Sequence, residues 1–400
     1  MQAFLIDWLS LLARWLHFIT GIAWIGSSFY FIWLDNHLEK PRDESDAAKG
    51  VSGEVWSLHG GGFYHAQKYL LAPRVLPETL HWFKWEAYST WLSGMFLLIL
   101  LYWYGAGVYL IDPASAASSA PLAVALAAGF IVGGWIIYDL LCKSPLGRDD
   151  RLLGLVLMLL VGLLAWGLCQ LFSGRGAYMH FGAILGTIMV GNVFFVIIPG
   201  QKEMLAAAMR GEVPDPGPGL RGKQRSVHNT YFTLPVLFVM ISNHYAMTYN
   251  HSFNWAILIA ITLAGALIRI YFVARHKGRA SPLPVLVAVI ILAAVAALIA
   301  PRAGALSAQS GEPVSFADVQ LVIAMRCSSC HSEAPTHPAF PAAPAGVMLD
   351  SEQQILAAAT AIHQQAVVTR VMPIGNLTGM TDAERATVDR WYQSLEPDHD

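Results

Sequence analysis

Long apolar runs, separated by short polar connections, occupy most of the first 300 residues of the chain. A helix needs about 20 mostly apolar residues to cross a lipid bilayer. Eight runs meet this requirement, near 9–34, 83–104, 121–141, 152–172, 178–200, 229–249, 253–273 and 282–300. The fifth run is expected to continue past Gly200 as a surface helix to Arg210. The pattern predicts that residues 1–300 form an all-α domain, an eight-span transmembrane helix bundle.

The composition also indicates a membrane protein. Apolar residues make up 55% of the chain and charged residues only 13%, whereas soluble domains carry about 25% charged residues. The net charge of −2 gives no indication of a nucleic-acid partner. A cleavable signal peptide is not expected, because the first apolar run is too long and lacks both a basic start and a small-residue cleavage site.

Lysine and arginine are distributed unevenly among the connections. The loops near 35–80, 142–151, 201–227 and 274–281 carry sixteen of them, whereas the alternate loops carry only Arg175. Basic loops remain on the cytoplasmic side of a membrane. The chain is therefore expected to be a multi-pass protein of the bacterial inner membrane, with both termini in the periplasm.

A short polar stretch, 301–313, follows the last apolar run and is predicted to be a linker to a small domain at 314–400. There, Cys327, Cys330 and His331 form a C-x-x-C-H motif, the attachment signature of a c-type haem. The two thiols bond covalently to the haem, and the histidine is an axial ligand of its iron. A redox or zinc-binding pair of cysteines is the alternative. Because this haem is attached on the outer side of bacterial membranes, the motif agrees with the orientation given by the basic loops.

Two helices are predicted in this small domain, one beginning at Ser315 with Asp318 as its capping partner and the other at Thr381 with Glu384. The two helices should pack together, and the sixth iron ligand should lie between them in the chain. Met372 is the preferred candidate, because it precedes a proline and lies shortly before the last helix. Methionine and histidine ligation together raise the reduction potential of a haem. The alternatives are Met380, Met348 and His337. The segment resembles a class I cytochrome c.

Four strings rich in aromatic residues stand out in the first 300 positions, at 15–36, 55–64, 81–88 and 234–245. Together they resemble the PuuD-type, membrane-bound urate oxidase (urate hydroxylase) family. The resemblance implies an eight-span domain joined to a C-terminal cytochrome c. It also implies oxidation of urate to 5-hydroxyisourate in purine breakdown, without hydrogen peroxide. The electrons would pass to the cytochrome and on to the respiratory chain, through a terminal oxidase or a soluble cytochrome c.

Three histidines, His17, His180 and His244, fall at a similar predicted depth. At about 1.5 Å per residue, each lies roughly 25–30 Å from the cytoplasmic face. Histidines on facing helices of a bundle are a common way to hold a b-type haem. We expect two or three of them to bind a haem b or another metal centre. The alternative is that they are hydrogen-bonded core histidines.

A second polar layer is expected near the cytoplasmic side. It contains Asp35, Asn36, His59, His65, His81, Lys84, Glu86, Asp139, His228 and Arg269. A planar purine anion needs a cation, aromatic walls and a base. Among these residues, Lys84 and Arg269 are candidates to bind the anion, and Glu86, His59 or His65 to act as the base.

The aromatic walls of such a site would come from Trp82 and Trp85. The alternative interpretation of the charged residues is that Glu86 pairs with Arg269 and Lys84 with Asp139, so that the charges only neutralise one another.

Two other functions remain possible on the sequence alone. The protein could be a non-catalytic electron-transfer subunit of a respiratory oxidoreductase complex, or a transporter with a tethered redox sensor. Breaks in the apolar runs at Pro199, Gly200 and Pro235 would suit a transporter, but such breaks are common in membrane helices.

Overall fold

A computed structural model describes residues 2–73, 75–112, 115–276, 278, 281–300 and 314–395. The predicted linker, 301–313, lies outside the described residues. The chain is mostly helical, and a helix is found at each of the eight predicted positions. In the first part of the chain these elements are α1 (Gln2–Asn36), α2 (Glu44–Ala48), β1 (Val51–His59), β2 (Gly62–Tyr69), α3 (Trp85–Leu98) with its π-helical extension Ile99–Trp103, and α4 (Ala106–Tyr109).

The middle of the chain consists of helices throughout. These are α5 (Ala120–Lys143), α6 (Asp150–Leu171), α7 (Gly174–Gly191) with a π-helical segment Asn192–Ile197, α8 (Ile198–Met209), α9 (Pro216–Ser242), α10 (Ala246–Tyr249), α11 (Asn254–His276) and α12 (Leu283–Ile299). Helix α8 is the predicted continuation of the fifth run to Arg210, and it ends within one residue of that position.

Five helices of the described chain are long and apolar enough to cross a membrane, namely Phe4–Asn36, Ala120–Lys143, Asp150–Leu171, Gly174–Met209 and Asn254–Arg275. Helix α12 is apolar but shorter. The chain is therefore compatible with a membrane protein, and the full count of eight spans stays a prediction.

Residues 51–69 depart from the all-α prediction, because strands β1 and β2 form an antiparallel hairpin. Gly60 and Gly61 connect the strands, and both have positive φ angles, of 56° and 83°. Two such residues in succession make the tight turn that suits the twist of paired strands. Lys68 of the hairpin forms an ion pair with Asp35 at the end of α1, with 2.7 Å between Nζ and Oδ1.

The sixth predicted span, 229–249, is too long at its end. Helix α9 stops at Ser242, and the chain turns before the short helix α10. Asn243 occupies the turn, where its Oδ1 accepts hydrogen bonds from the Tyr102 hydroxyl (3.1 Å) and from Nε of Arg175 (2.9 Å). His244 consequently lies beyond the helix rather than inside it.

Helix α7 is the centre of the helical bundle. It packs against α3, α5, α6 and α9, and Tyr178, Phe181, Ile184 and Leu185 are completely buried. Helix α1 differs, because it packs along α3 but meets α9 at few positions. A space therefore remains between α1 and the pair formed by α7 and α9.

Residues 314–395, the C-terminal segment, have a hydrophobic core of their own. Their helices are α13 (Phe316–Arg326), α14 (Glu352–Ala357), α15 (Ala359–Ile362) with a π-helical extension His363–Val368, and α16 (Asp382–Leu395). Helices α13 and α16 pack together as predicted, around Ile323, Val388 and Trp391. Ser315 and Asp318 form the predicted reciprocal cap at the start of α13.

Candidate functional site

A cavity of about 570 Å³ lies between α1, α3, α7 and α9. His17 of α1 is one of the residues that line this cavity. Nδ1 of His17 donates to the backbone carbonyl of Thr90 on α3, at 2.9 Å, and lies 3.1 Å from the Ser93 hydroxyl. The carbonyl is an acceptor only, so Nδ1 carries the proton. Within the described residues Nε2 has no hydrogen-bond partner, and its lone pair is available.

Gly94 makes room for the His17 ring. A Cβ atom at position 94 would lie 2.9 Å from Cε1 of the imidazole, which is closer than two such atoms can approach. Helices α1 and α3 can therefore pack closely where the histidine is anchored, and the ring is held in one orientation by the carbonyl of Thr90.

His180 does not share this cavity. It is completely buried, and its Nδ1 donates to the carbonyl of Gly176 at 2.8 Å. Its Nε2 accepts a hydrogen bond from Nε1 of Trp103 at 3.1 Å. Both ring nitrogens are engaged, so the alternative of a hydrogen-bonded core histidine describes this residue.

His244 is exposed in the turn after α9, and it does not line the cavity either. The three histidines expected to share one centre are thus separated. In the described part of the chain, no group of three or more His, Cys, Asp or Glu side chains is arranged to hold a metal ion.

Arg269 and the segment just before Lys84 both contact the C-terminal part of α1. Arg269 of α11 places its guanidinium 4.2 Å from the ring centroid of Phe29. Phe31 contacts Phe83, the residue before Lys84, with 4.9 Å between ring centroids.

Arg269 is an unusual buried cation. Its side chain is 6% exposed, and its Nε is buried without a partner. Among the described residues no carboxylate forms an ion pair with it. A charge in apolar surroundings is costly unless it is compensated, so this guanidinium is a natural point of attraction for an anion.

Glu86 and Lys84 lie at the start of α3. Oε1 of Glu86 is 3.8 Å from Nε2 of His81, and Oε2 is buried without a partner in the described chain. Nζ of Lys84 lies 6.0 Å from the ring centroid of Trp82. Trp82 packs on the start of α8 and its neighbours, whereas Trp85 is largely exposed.

The two predicted charge pairs are not formed. Asp139 binds Arg225 at 2.8 Å and Lys143 at 2.6 Å instead of Lys84. Glu86 and Arg269 likewise make no ion pair with each other within the described residues. The interpretation in which these charges only neutralise one another is therefore wrong.

His59 and His65 lie in the hairpin rather than in the bundle. His65 stacks on Trp56 with 4.1 Å between ring centroids, and its Nε2 is 3.0 Å from Oε2 of Glu54. Glu54 is 4% exposed, and the sequence analysis missed it because a hairpin was not expected there. His59 is exposed at the end of β1.

A buried polar network in the bundle was also missed. Arg225 donates to Asp139 (2.8 Å) and to Oδ1 of Asn192 (3.3 Å). Nδ2 of Asn192 donates to the Tyr138 hydroxyl (2.9 Å), which is 2.8 Å from Nδ1 of His228. Asn192 was overlooked because it is a single uncharged polar residue inside an apolar run, and Arg225 because it lies in the connection just before one. The signal that could have identified them is a polar residue predicted to lie at about the same depth in the membrane as Asp139.

The cysteine motif in the C-terminal segment lies in a tight turn after α13. Cys327 ends α13, and the backbone NH groups of Cys330 and His331 both donate to its carbonyl, at 3.1 and 2.9 Å. Nδ1 of His331 donates to the Val347 carbonyl at 3.0 Å. This second bond fixes the ring and leaves Nε2 without a proton.

The free thiol of Cys327 is not activated. Burial, together with the neighbouring Cys330, raises its pKa to about 11.

Met372 precedes α16 and is half-buried. Its backbone is fixed at both ends, because its NH donates to the Gln365 carbonyl (3.0 Å) and its carbonyl accepts from Arg385 (2.9 Å). Met380 is 4% exposed and belongs to the core of the segment, so it is a packing residue.

The other two alternatives are Met348 and His337. Met348 is 39% exposed. Nδ1 of His337 accepts a hydrogen bond from the NH of Ala339 at 3.3 Å.

A family model described as "Urate oxidase N-terminal" matches residues 3–300. The chain belongs to this family. Membership supports an oxidoreductase that acts on urate, as the aromatic strings implied. No curated protein and no solved structure matches the chain.

The buried network gives a test of the bundle. Replacing Arg225 by alanine leaves Asp139 and Asn192 without their buried partner. We expect a loss of about 3–5 kcal/mol in stability, the usual cost of breaking a buried pair. Lys143→Ala removes the exposed partner of the same carboxylate and should cost about 0–1 kcal/mol. Thermal unfolding of the detergent-solubilised protein measures both, and equal losses would contradict this assignment.

Proposed function

We propose that this protein oxidises urate to 5-hydroxyisourate and passes the electrons to a c-type haem in its own C-terminal segment, without forming hydrogen peroxide. Family membership over 3–300 supports urate as the substrate. The observation that carries the electron-transfer part is the C-x-x-C-H turn, in which His331 is oriented by Val347 with Nε2 available.

In this proposal four residues hold the haem. The thiols of Cys327 and Cys330 form the covalent links, and Nε2 of His331 and the sulfur of Met372 are the axial ligands. The haem supplies one-electron redox chemistry. Arg385 and Gln365 position the backbone of Met372 from both sides, and Val347 keeps the His331 ring in the correct tautomer.

The loop that carries Met372 faces the helical bundle. Nδ2 of Asn250 donates to the Arg370 carbonyl at 2.9 Å, and Val371 packs against the core of the bundle. Gly375 lies against the carbonyl of Val108. Contact between this loop and the bundle suits electron transfer from a site among the helices to the C-terminal segment.

The substrate site in this proposal lies around the C-terminal end of α1. Arg269 attracts the urate anion, since its buried charge lacks a carboxylate partner. Lys84 is the second cation, and Glu86, whose Oε2 is unpartnered, takes a proton. Urate and water yield 5-hydroxyisourate, two electrons and two protons, so a base near the ring is required.

The cellular setting follows from the charge distribution and the haem motif. The protein lies in the bacterial inner membrane with both termini in the periplasm, and a terminal oxidase or a soluble cytochrome c receives its electrons. The long apolar helices are compatible with this location.

The first experiment uses oxidised, detergent-purified protein under anaerobic conditions. Addition of urate should reduce the c-type haem, which is observed as the growth of its α band. Xanthine, a purine of similar shape, is the control. A haem that ascorbate reduces but urate does not would contradict the proposal and favour a non-catalytic electron-transfer subunit.

Arg269→Gln tests the anion site. We expect the KM for urate to rise about 10- to 100-fold, because a hydrogen bond to a charged group contributes about 1.5–3 kcal/mol. Arg275→Gln, an exposed position on the same helix, should leave KM unchanged. Reduction of the haem by ascorbate must be normal in both variants, and an unchanged KM in Arg269→Gln would remove this residue from the site.

Met372→Ala tests the sixth ligand. The covalent haem should remain, but its reduction potential should fall by on the order of 0.1 V, within the roughly 0.8 V range that axial ligands span. Met348→Ala is the matched control and should not change the potential. A potentiometric titration decides between the two methionines, and a fall in the Met348 variant alone would reverse the assignment.

A further inference from the structure

The cavity between α1, α3, α7 and α9 is too large for a small purine and is mostly apolar. Its volume is about 570 Å³, within the range of roughly 300–1,000 Å³ that large ligands occupy. Helix α1 meets α9 at few positions, so the cavity separates helices that would otherwise pack together. A mostly apolar cavity of this size suits a large apolar ligand with few polar groups.

The cavity has one strong donor atom. Nε2 of His17 has no partner within the described residues, while Nδ1 is fixed by Thr90. A histidine whose Nδ1–H bonds a carbonyl is in the tautomer that binds metal through Nε2. The same arrangement is found at His331.

The residues that line the cavity also restrict which kinds of ligand can bind there. Gly21, Gly182 and Gly186 contribute to the walls, and a Cβ at position 186 would meet nothing within 4 Å. Arg14, one turn before His17 on α1, lies at the edge and forms no ion pair with a carboxylate of the described chain. A largely apolar ligand with one anionic edge suits this lining.

We propose that this cavity binds a second haem, non-covalent and of the b type, with Nε2 of His17 as an axial ligand and Arg14 beside its propionate groups. The role suggested for it rests on the proposed urate oxidation, but its binding does not. Met95, Met179, Met189 and Met240 also line the cavity and would offer thioether groups to such a ligand.

The position of the cavity suits this assignment. Ile25 of α1 lines it, and Phe29, which contacts Arg269, follows one helical turn later. At the other side Tyr102 lines the cavity and lies 6.1 Å from Tyr109 between ring centroids. Helix α4, which contains Tyr109, contacts residues 374–376 of the C-terminal segment.

This order places the cavity between the proposed substrate site and the proposed haem c. Urate oxidation releases two electrons, whereas one haem iron carries one. Two haems in the same chain could together hold both electrons until the acceptor removes them.

The test measures bound haem directly, on the full chain purified from membranes. Acidified acetone extracts a non-covalent haem but leaves haem c attached to the protein. We expect one extractable haem per chain, with the pyridine haemochrome spectrum of haem b. Its absence from protein that carries haem c, or the recovery of a quinone or lipid instead, would overturn the proposal.

Variants identify the ligand. His17→Ala should lower the extractable haem at least about tenfold, while His244→Ala should retain it. Gly186→Leu fills the cavity without touching His17 and should also lose the haem. Gly154→Leu, at an exposed glycine of α6 with open space around it, should not. Covalent haem c reports correct folding in every variant.

Retention of haem b in both His17→Ala and Gly186→Leu would contradict the site. Binding of haem b without reduction by urate would instead leave this inference intact and contradict the proposed function.

Discussion

The cost of burying polar groups among apolar helices governs this structure. A buried polar atom without a hydrogen bond costs several kcal/mol in a membrane-like environment. Arg225, Asp139 and Asn192 avoid that cost because they form hydrogen bonds with one another. His180 avoids it through hydrogen bonds with Gly176 and Trp103. These residues stabilise the bundle and have no capacity left for a ligand.

Against this background, the unpaired groups stand out. Nε2 of His17 faces a cavity, and Nε of Arg269 and Oε2 of Glu86 are buried without partners in the described chain. An unpaired polar atom in such surroundings calls for an explanation, and a bound ligand is one of those available. The cation, the carboxylate and the imidazole are the three kinds of group that an anionic, proton-releasing redox reaction needs.

The sequence predicted the helices well because the length of an apolar run is a local property. The caps at Ser315 and Thr381 are also local, and they are formed as predicted. The partners of buried side chains were not predictable in the same way. Run length gives the depth of His17 and His180, but the rotation of each helix decides whether a side chain faces a cavity or a neighbouring carbonyl. That rotation depends on packing with distant residues such as Trp103 and Thr90.

The hairpin at 51–69 shows the same limit for local structure. The sequence of its strands has neither a continuous apolar run nor a clear alternation of apolar and polar residues. Only the turn glycines could have indicated a hairpin. Once formed, it brings Lys68 to Asp35 at the end of α1. Helix α1 thus contacts the hairpin, Arg269 and the cavity in succession along its length. Helix α1 is therefore the element that connects the proposed substrate site with the cavity that contains His17.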